Sequence, residues 1–456
     1  MRSDLTCFKS YDIRGDLSKN FDASICYRIA RSFAMFLAAE KVIVGRDARD
    51  SSLELMNSIC NGLIDEGVQV LDIGLAGTEE MYWATTQYEA SGGIEITASH
   101  NPINFNGLKL VKAGSNPIAK EELLQIKKLA ETNVFHRTKS LGSREDISNE
   151  ARKKYVSKIL SFVEVAKIKP YKVVVNSGNG AAGPTFDHIA SDIRKINPAI
   201  KFERMHHDVD SSFPNGIPNP ILPETHLRNK KKILASKADF GIAFDGDFDR
   251  CFFFDKNGNF VSGEYIVGLL AKIFLFKEPG SIIVHDPRVV WNVQNIVKYN
   301  GGKSVVSLTG HAFVKQTMRE NKATYGGELS AHHYFKDFSY CDSGMIPWLL
   351  VLEMMSRTDK TLSELIAEQR SQFPSSGEIN FNIQDIGSAL KKVVDFYEED
   401  CPQIDNFDGI SLSFGTWRFN LRSSTTEPIV RLNVESIGDI DLVNRKVEEI
   451  KGILYS

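Results

Sequence analysis

In three successive regions of this chain, short apolar runs end in small polar turns and alternate with helical patterns, and this repetition restricts the fold more than any other feature. In the first region Val42-Ile43-Val44, Val68 to Ile73 and Gly92 to Thr97 read as buried strands. Leu53 to Gly67 reads as a helix between them, and Ile25, Ile29, Phe33, Phe36 and Leu37 share one face of a helix before them. Val173-Val174-Val175 and Phe240 to Phe244 repeat the pattern, and Ile282-Ile283-Val284 with Val305-Val306 give it again. Such alternation predicts largely parallel, mixed sheets whose ligands gather beyond the carboxyl ends of the strands. After Phe373-Pro374-Ser375-Ser376-Gly377 the character changes. Ile410 to Phe414, Trp417 to Leu421 and Ile429 to Val434 read as antiparallel strands, followed by a helix from Asp439 to Leu454.

The expected fold class is therefore three tandem α/β domains plus a C-terminal α+β domain. A chain of 456 residues is too long for one core. The charged stretch from Lys120 to Glu150, with Gly142-Ser143 inside it, marks the first boundary; the domains read as 1–150, 151–256, 257–372 and 373–456. Met345 to Met355 reads as a core helix, Tyr11 to Gly15 as a polar turn, and the proline-rich Phe213 to Pro220 as an ordered surface loop. Asn176 to Gly183 is a glycine-rich turn. It lacks the Walker lysine and the dinucleotide fingerprint, so close strand-helix packing is favoured over a phosphate cradle.

Two loops carry chemistry. Thr97-Ala98-Ser99-His100-Asn101-Pro102 leaves the end of an apolar strand, and this predicts a Ser99 presented rather than packed, with His100 beside it as a possible proton carrier. Turn formation alone accounts for the same residues. In Asp245-Gly246-Asp247-Phe248-Asp249-Arg250, carboxylates at alternate positions would repel one another unless a cation sat among them, and oxygen-only ligands suit Mg²⁺ or Ca²⁺. The calcium EF-hand reading fails because Arg250 and Lys256 stand where that loop needs Gly and Glu.

These loops resemble those of the α-D-phosphohexomutase family, in its bacterial phosphomannomutase branch. Two further motifs match in the same order: the sugar loop Gly326-Gly327-Glu328-Leu329-Ser330-Ala331-His332, running on through His333-Tyr334-Phe335, and the phosphate loop Arg422-Ser423-Ser424-Thr425-Thr426-Glu427-Pro428. The resemblance implies domains around a central cleft, the last of them a mobile lid. It implies an isomerase that interconverts mannose 6-phosphate and mannose 1-phosphate through a phosphoserine and a hexose 1,6-bisphosphate, the bisphosphate also acting as activator, for GDP-mannose and surface polysaccharide synthesis. Mg²⁺ is implied at Ser99, Asp245, Asp247 and Asp249. Ser99, His100, Lys109, Arg250 and His332 are the implied catalytic set, with His100, Lys109 and His332 all open as general acid or base. Tyr11, Arg14, Arg288, His311, Glu328, Ser330, Arg422, Ser424, Thr425 and Thr426 are the implied substrate ligands. Two positions depart from the pattern: Thr425 stands where asparagine is common, and Phe248 where many relatives have glycine.

Composition excludes other classes. A formal charge of −3 offers no basic field for nucleic acid, and the apolar Ile346 to Leu352 is too short to span a bilayer. Six scattered cysteines without a C-x-x-C pair and a polar N-terminus suggest a cytoplasmic protein. The resemblance implies a small phosphosugar as partner, and a monomer or dimer is expected. Phosphoglucomutase and phosphoglucosamine mutase are rival readings within the family. Outside it, a metal-dependent sugar phosphatase and a non-catalytic phosphosugar-binding protein are the alternatives.

Overall fold

The computed structural model describes residues 4–135, 140–423 and 429–456. Two compact units emerge, each built from two stretches of chain. One comprises Met1–Phe260 with His332–Asp359, the other Val261–Ala331 with Lys360–Ser456.

The first unit opens with a mixed sheet. Lys41–Arg46 lies at its centre, parallel to both Gln69–Leu75 and Gly92–Ile96. Phe105–Lys112 continues it antiparallel, and Ile13–Asp16 closes that edge. The predicted turn at 11–15 is thus a strand from Ile13 onward. The charged stretch is not a bare connection either: Lys120–Thr132 is a helix that buries Leu123, Ile126 and Ala130, and Ser143–Asp146 adds a parallel edge strand beside Gln69–Leu75. All four side chains of that strand are exposed, so it carries no apolar alternation to read.

A second sheet runs Cys251–Phe254, Phe240–Phe244, Lys172–Asn176, Lys201–Met205. Its central pair is parallel, and Cys251–Phe254 returns antiparallel after the acidic loop. The glycine-rich turn serves packing. A Cβ on Gly183 would stand 2.2 Å from His207 O, and one on Gly178 would stand 2.4 Å from Pro218 Cβ. The N–H groups of Asn179, Gly180 and Ala181 already donate to His206, Ser177 and Gly246 carbonyls, leaving them no capacity to cradle a phosphate.

The returning segment supplies the helix Met345–Thr358, whose Trp348 is fully buried against Phe186 and Phe202, with ring centroids 5.6 and 5.8 Å away. Burying a side chain such as Phe186 contributes about 1.5–3 kcal/mol.

In the second unit Ile282–His285 pairs parallel with Lys303–Val306 and with Tyr325–Gly327. A five-stranded antiparallel sheet follows in the order Ile379–Asn382, Ile429–Ser436, Trp417–Ser423, Ile410–Ser413, Gln403–Asp405. Helices Ile386–Tyr397 and Ile440–Tyr455 cover its core of Phe419, Leu432, Val434, Val393 and Ile450. The two outermost strands and the first of these helices were not legible in the sequence. Among the described residues no helix is long and apolar enough to cross a membrane.

Candidate active site

The strand Gly92–Ile96, buried along its whole length, delivers the serine loop. Ser99 adopts φ +48°, and its N–H donates to Thr97 Oγ1 at 2.8 Å. The loop is held from behind by Arg49, a residue the sequence reading did not single out. Its Nη1 donates to Pro102 O at 2.8 Å and Phe105 O at 2.9 Å, and its Nη2 donates to Ser99 O at 3.0 Å and Asn101 O at 2.6 Å. Asp47 lies 3.4 Å from Arg49 Nε and fixes the guanidinium in turn.

Ser99 is packed, contrary to expectation. Only 5% of its surface is exposed, because its hydroxyl turns into the acidic loop and donates to Asp245 Oδ2 at 2.6 Å. His100 Nδ1 lies 2.9 Å from the same Oγ. Contact between the loops is tight enough that a Cβ on Gly246 would sit 2.5 Å from Ser99 O. Phe248 holds φ +44° with its ring buried, and a Cβ on Gly77 would meet that ring at 2.3 Å. That backbone region is one that glycine adopts without steric cost.

Two of the protein's own cations stand among the acids. Lys109 Nζ donates to Asp247 Oδ2 at 2.8 Å and to Asp249 Oδ2, while Arg250 Nε and Nη2 donate to Asp245 Oδ2 at 3.0 and 2.7 Å. Burial works against every charge here. It pushes the Asp245 carboxyl up to about 6 despite Arg250. At Asp247 burial is outweighed by the Lys109 ammonium and the hydrogen bonds from Lys109 and Thr78, which hold the carboxyl well below its usual range. Lys109 is likewise held cationic against burial by Asp247 and Asp249. His100 is pulled well below the ordinary imidazole range by burial and then by Arg250, whose Nη2 contacts Nδ1.

The donor set fits a divalent cation. Asp245, Asp247 and Asp249 can each offer an oxygen within 4.8 Å of the others. Asp247 Oδ1 and Asp249 Oδ1 are buried and accept no hydrogen bond. Thr78, at the start of the helix Thr78–Gln87, holds the other oxygen of Asp247: its Oγ1 donates to Oδ2 at 2.7 Å, and its N–H donates to Asp247 O at 3.2 Å. Thr78→Val keeps the shape and removes the hydroxyl, so it is expected to weaken Mn²⁺ affinity about ten- to a hundredfold, one charge-assisted hydrogen bond's worth. Thr78→Ser should recover it. Titration of the metal-stripped protein followed by electron paramagnetic resonance measures both, and equal affinities for Thr78→Val and the parent protein would remove Thr78 from this role.

Other predicted residues of the first unit lie in this neighbourhood. Arg14 donates through Nη1 to Thr97 O and sits 3.4 Å from Asp12; Tyr11 is half-buried just before it. His332 forms an isolated antiparallel backbone bridge with Arg250, and its Nε2 is 3.8 Å from Asp249 Oδ1.

The second unit gathers its own set. Asp286, absent from the predicted set, accepts from Arg288 Nε at 3.1 Å, Arg288 Nη2 at 2.5 Å and Leu329 N at 2.8 Å, so one carboxylate orients both the arginine and the sugar loop. Glu328 Oε1 accepts from Gly310 N at 2.9 Å and lies 3.9 Å from Arg288 Nη2. His311 begins the helix His311–Asn321, and Ser330 is half-buried at the end of the loop. Arg422 reaches Asp408 at 3.6 Å and Glu378 at 4.0 Å. Ser424, Thr425 and Thr426 lie outside the described residues.

Comparison with known proteins points to one family. Residues 6–137, 153–258 and 262–373 match, respectively, the alpha/beta/alpha domains I, II and III of phosphoglucomutase/phosphomannomutase. The chain is 50% identical over 458 residues to a phosphomannomutase of Vibrio cholerae serotype O1, covering 99% of this chain and 98% of that protein. It is 45% identical over 453 residues to the phosphohexose mutases of Xanthomonas campestris pv. campestris, covering 99% of each. A crystal structure of a phosphoglucomutase/phosphomannomutase family protein from Burkholderia thailandensis superposes with a TM-score of 0.86 at 29% identity, covering 100% of this chain and 98% of that one. Three domain matches in order, and relatives aligned over nearly their full length, show that the chain belongs to the phosphoglucomutase/phosphomannomutase family.

Proposed function

We propose that this protein is a phosphomannomutase, interconverting mannose 6-phosphate and mannose 1-phosphate through a phosphate carried on Ser99. One observation carries the chemical part of this reading: the Ser99 hydroxyl points into a buried cluster of carboxylates, 2.6 Å from Asp245 Oδ2, beside oxygens of Asp247 and Asp249 that accept no hydrogen bond. Buried carboxylate oxygens that accept no hydrogen bond are a costly arrangement unless a cation meets them. Phosphomannomutases among the full-length relatives support the sugar assignment.

In the proposed cycle a sugar hydroxyl oxygen attacks phosphorus on Ser99. The new O–P bond forms as the Oγ–P bond breaks, and the hydroxyl proton passes to His100 or His332, since Asp247 and Asp249 hold Lys109 as the ammonium. His100 Nδ1 stands within hydrogen-bond reach of Ser99 Oγ. The hexose 1,6-bisphosphate turns over, its other phosphate returns to Ser99, and the isomeric monophosphate leaves; added bisphosphate activates by loading Ser99. Asp245, Asp247 and Asp249, with Ser99, would hold Mg²⁺, which when bound neutralises phosphoryl oxygens. Arg250 and Lys109 bring fixed positive charge to the same place. Glu328 and Ser330 grip sugar hydroxyls, and Tyr11, Arg14, Arg288, His311 and the Arg422 to Thr426 loop take the remaining polar groups. The product suits GDP-mannose and surface polysaccharide synthesis. Six free thiols, five of them buried, suit a reducing compartment such as the cytoplasm.

Intact-mass measurement before and after incubation with mannose 6-phosphate is expected to show one phosphoryl group coming and going, mapped to Ser99. Release of inorganic phosphate without isomerisation would replace the mutase by a phosphatase. Mannose and glucose differ at a single hydroxyl, so kcat/KM should favour mannose phosphate over glucose phosphate by about two- to tenfold, one hydrogen bond's worth. A preference for glucose 1-phosphate would overturn the sugar assignment.

A further inference from the structure

Resting on that reading, we infer that Glu378 is a built-in competitor for the phosphate clamp, occupying its arginines in the free protein and yielding them when a phosphosugar arrives. Arg422 and Arg431 face one another directly across the antiparallel strands Trp417–Ser423 and Ile429–Ser436. Like charges in that position destabilise a sheet unless an anion reconciles them.

Asp408 lies 3.6 Å from Arg422 Nη1, and Glu378 is the anion that Arg422 and Arg431 share. Its Oε2 accepts from Arg288 Nη1 at 3.1 Å and lies 4.0 Å from Arg422 Nη2, while its Oε1 lies 3.9 Å from Arg431 Nε. One carboxylate therefore serves three guanidinium groups, and makes a hydrogen bond to only one of them. The Nε atoms of Arg422 and Arg431 are buried and donate to nothing. Such donors are costly when unmet, and a phosphate has more acceptor oxygens than a carboxylate with which to meet them. Arg288 is differently placed, because Asp286 holds it through two hydrogen bonds whatever occupies the clamp. The exchange thus concerns Arg422 and Arg431 chiefly.

Glu378 can withdraw. It follows Gly377, which has φ +65° and only Ser262 Oγ near its missing Cβ, at 3.8 Å. It also precedes the edge strand Ile379–Asn382 rather than lying within it. A competing carboxylate suits this reaction in particular. The bisphosphate must let go of the clamp between the two half-reactions, and an anion ready to retake the arginines speeds that release.

Binding of inorganic phosphate and of glucose 1,6-bisphosphate by calorimetry, with stopped-flow release of the bisphosphate, tests this on the full-length protein. Glu378→Gln keeps the size and the hydrogen bond to Arg288 while removing the charge. It is expected to bind both probes about three- to tenfold more tightly and to release the bisphosphate more slowly, so that KM and kcat fall together. Arg431→Gln, at the more exposed end of the cluster, should weaken phosphate binding by a similar factor. Unchanged or weaker phosphate binding by a folded Glu378→Gln would overturn the inference, as would unchanged binding by Arg431→Gln. These failures are distinct from failure of the functional reading, which would show as no isomerisation by the parent protein.

Discussion

Ser99→Ala is expected to lower isomerisation of hexose phosphates by roughly four to six orders of magnitude, the loss typical of deleting a covalent nucleophile. Among the described residues no nearby hydroxyl is placed to take over. Thr97 Oγ1 is occupied by the Ser99 N–H, and Thr78 Oγ1 by Asp247. The substitution should leave the fold intact. Serine already bears the strain of φ +48°, and alanine, with the same Cβ, adds little to it; Arg49 grips the loop through backbone carbonyls that do not depend on the side chain. Hexose phosphate binding should survive within a few-fold, since its cations and sugar ligands lie elsewhere. Single-turnover assays with radiolabelled bisphosphate, alongside calorimetry, separate the two quantities. Residual turnover above a thousandth of the parent rate would mean that the phosphate resides on another residue.

The second large effect is expected at Arg49. Its guanidinium satisfies the carbonyls of Ser99, Asn101, Pro102 and Phe105, and it is almost wholly buried, at 3% exposure. Arg49→Met keeps the length of the side chain but takes the guanidinium donors from those oxygens and the ion pair from Asp47, whose carboxylate keeps the residue 49 N–H and Ser52 Oγ as donors. Breaking a buried pair of this kind costs about 3–5 kcal/mol. Even in molecules that remain folded, Ser99 would lose the support that fixes its hydroxyl against Asp245, and misplacement by about 1 Å costs roughly a hundredfold in rate. Urea denaturation and kcat on the same preparation check both expectations. Arg49→Lys should recover little, because one ammonium cannot reach four carbonyls arranged around a planar fork. A methionine variant within about 1 kcal/mol of the parent and with near-normal kcat would show that the loop holds itself.

Much of the framework could be read from residue order. The alternating apolar runs gave the central strands of the α/β sheets because buried parallel strands need continuous apolar character, and the acids of Asp245 to Asp249 stood out because nothing in a solvated turn requires three of them beside Cys251-Phe252-Phe253-Phe254. Edge elements were harder. Ser143–Asp146 has no buried face, and Ile13–Asp16 is too short and too polar to suggest pairing with Phe105–Lys112. Within the site, side chains that hold other residues' backbones left no pattern: Arg49 and Asp286 act at sequence distances of up to 56 and 43 residues. The burial of Ser99 was illegible for a related reason. Whether a loop hydroxyl faces solvent depends on what docks against it, and here that is a segment 146 residues away.

The discontinuity of the first unit bears on how the protein is made. Trp348, whose ring fills the space against Phe186 and Phe202, and Gly344, whose missing side chain accommodates Phe248 O, both belong to the returning segment. On the ribosome the first unit must therefore wait with that apolar seat uncovered while Val261 to Asp359 emerges, roughly 5–20 s at ~5–20 residues per second. During that interval the nascent chain presents a sticky surface that the finished protein lacks, so chaperone demand and yield on expression are set by a stretch of polypeptide far from the serine it helps to seat.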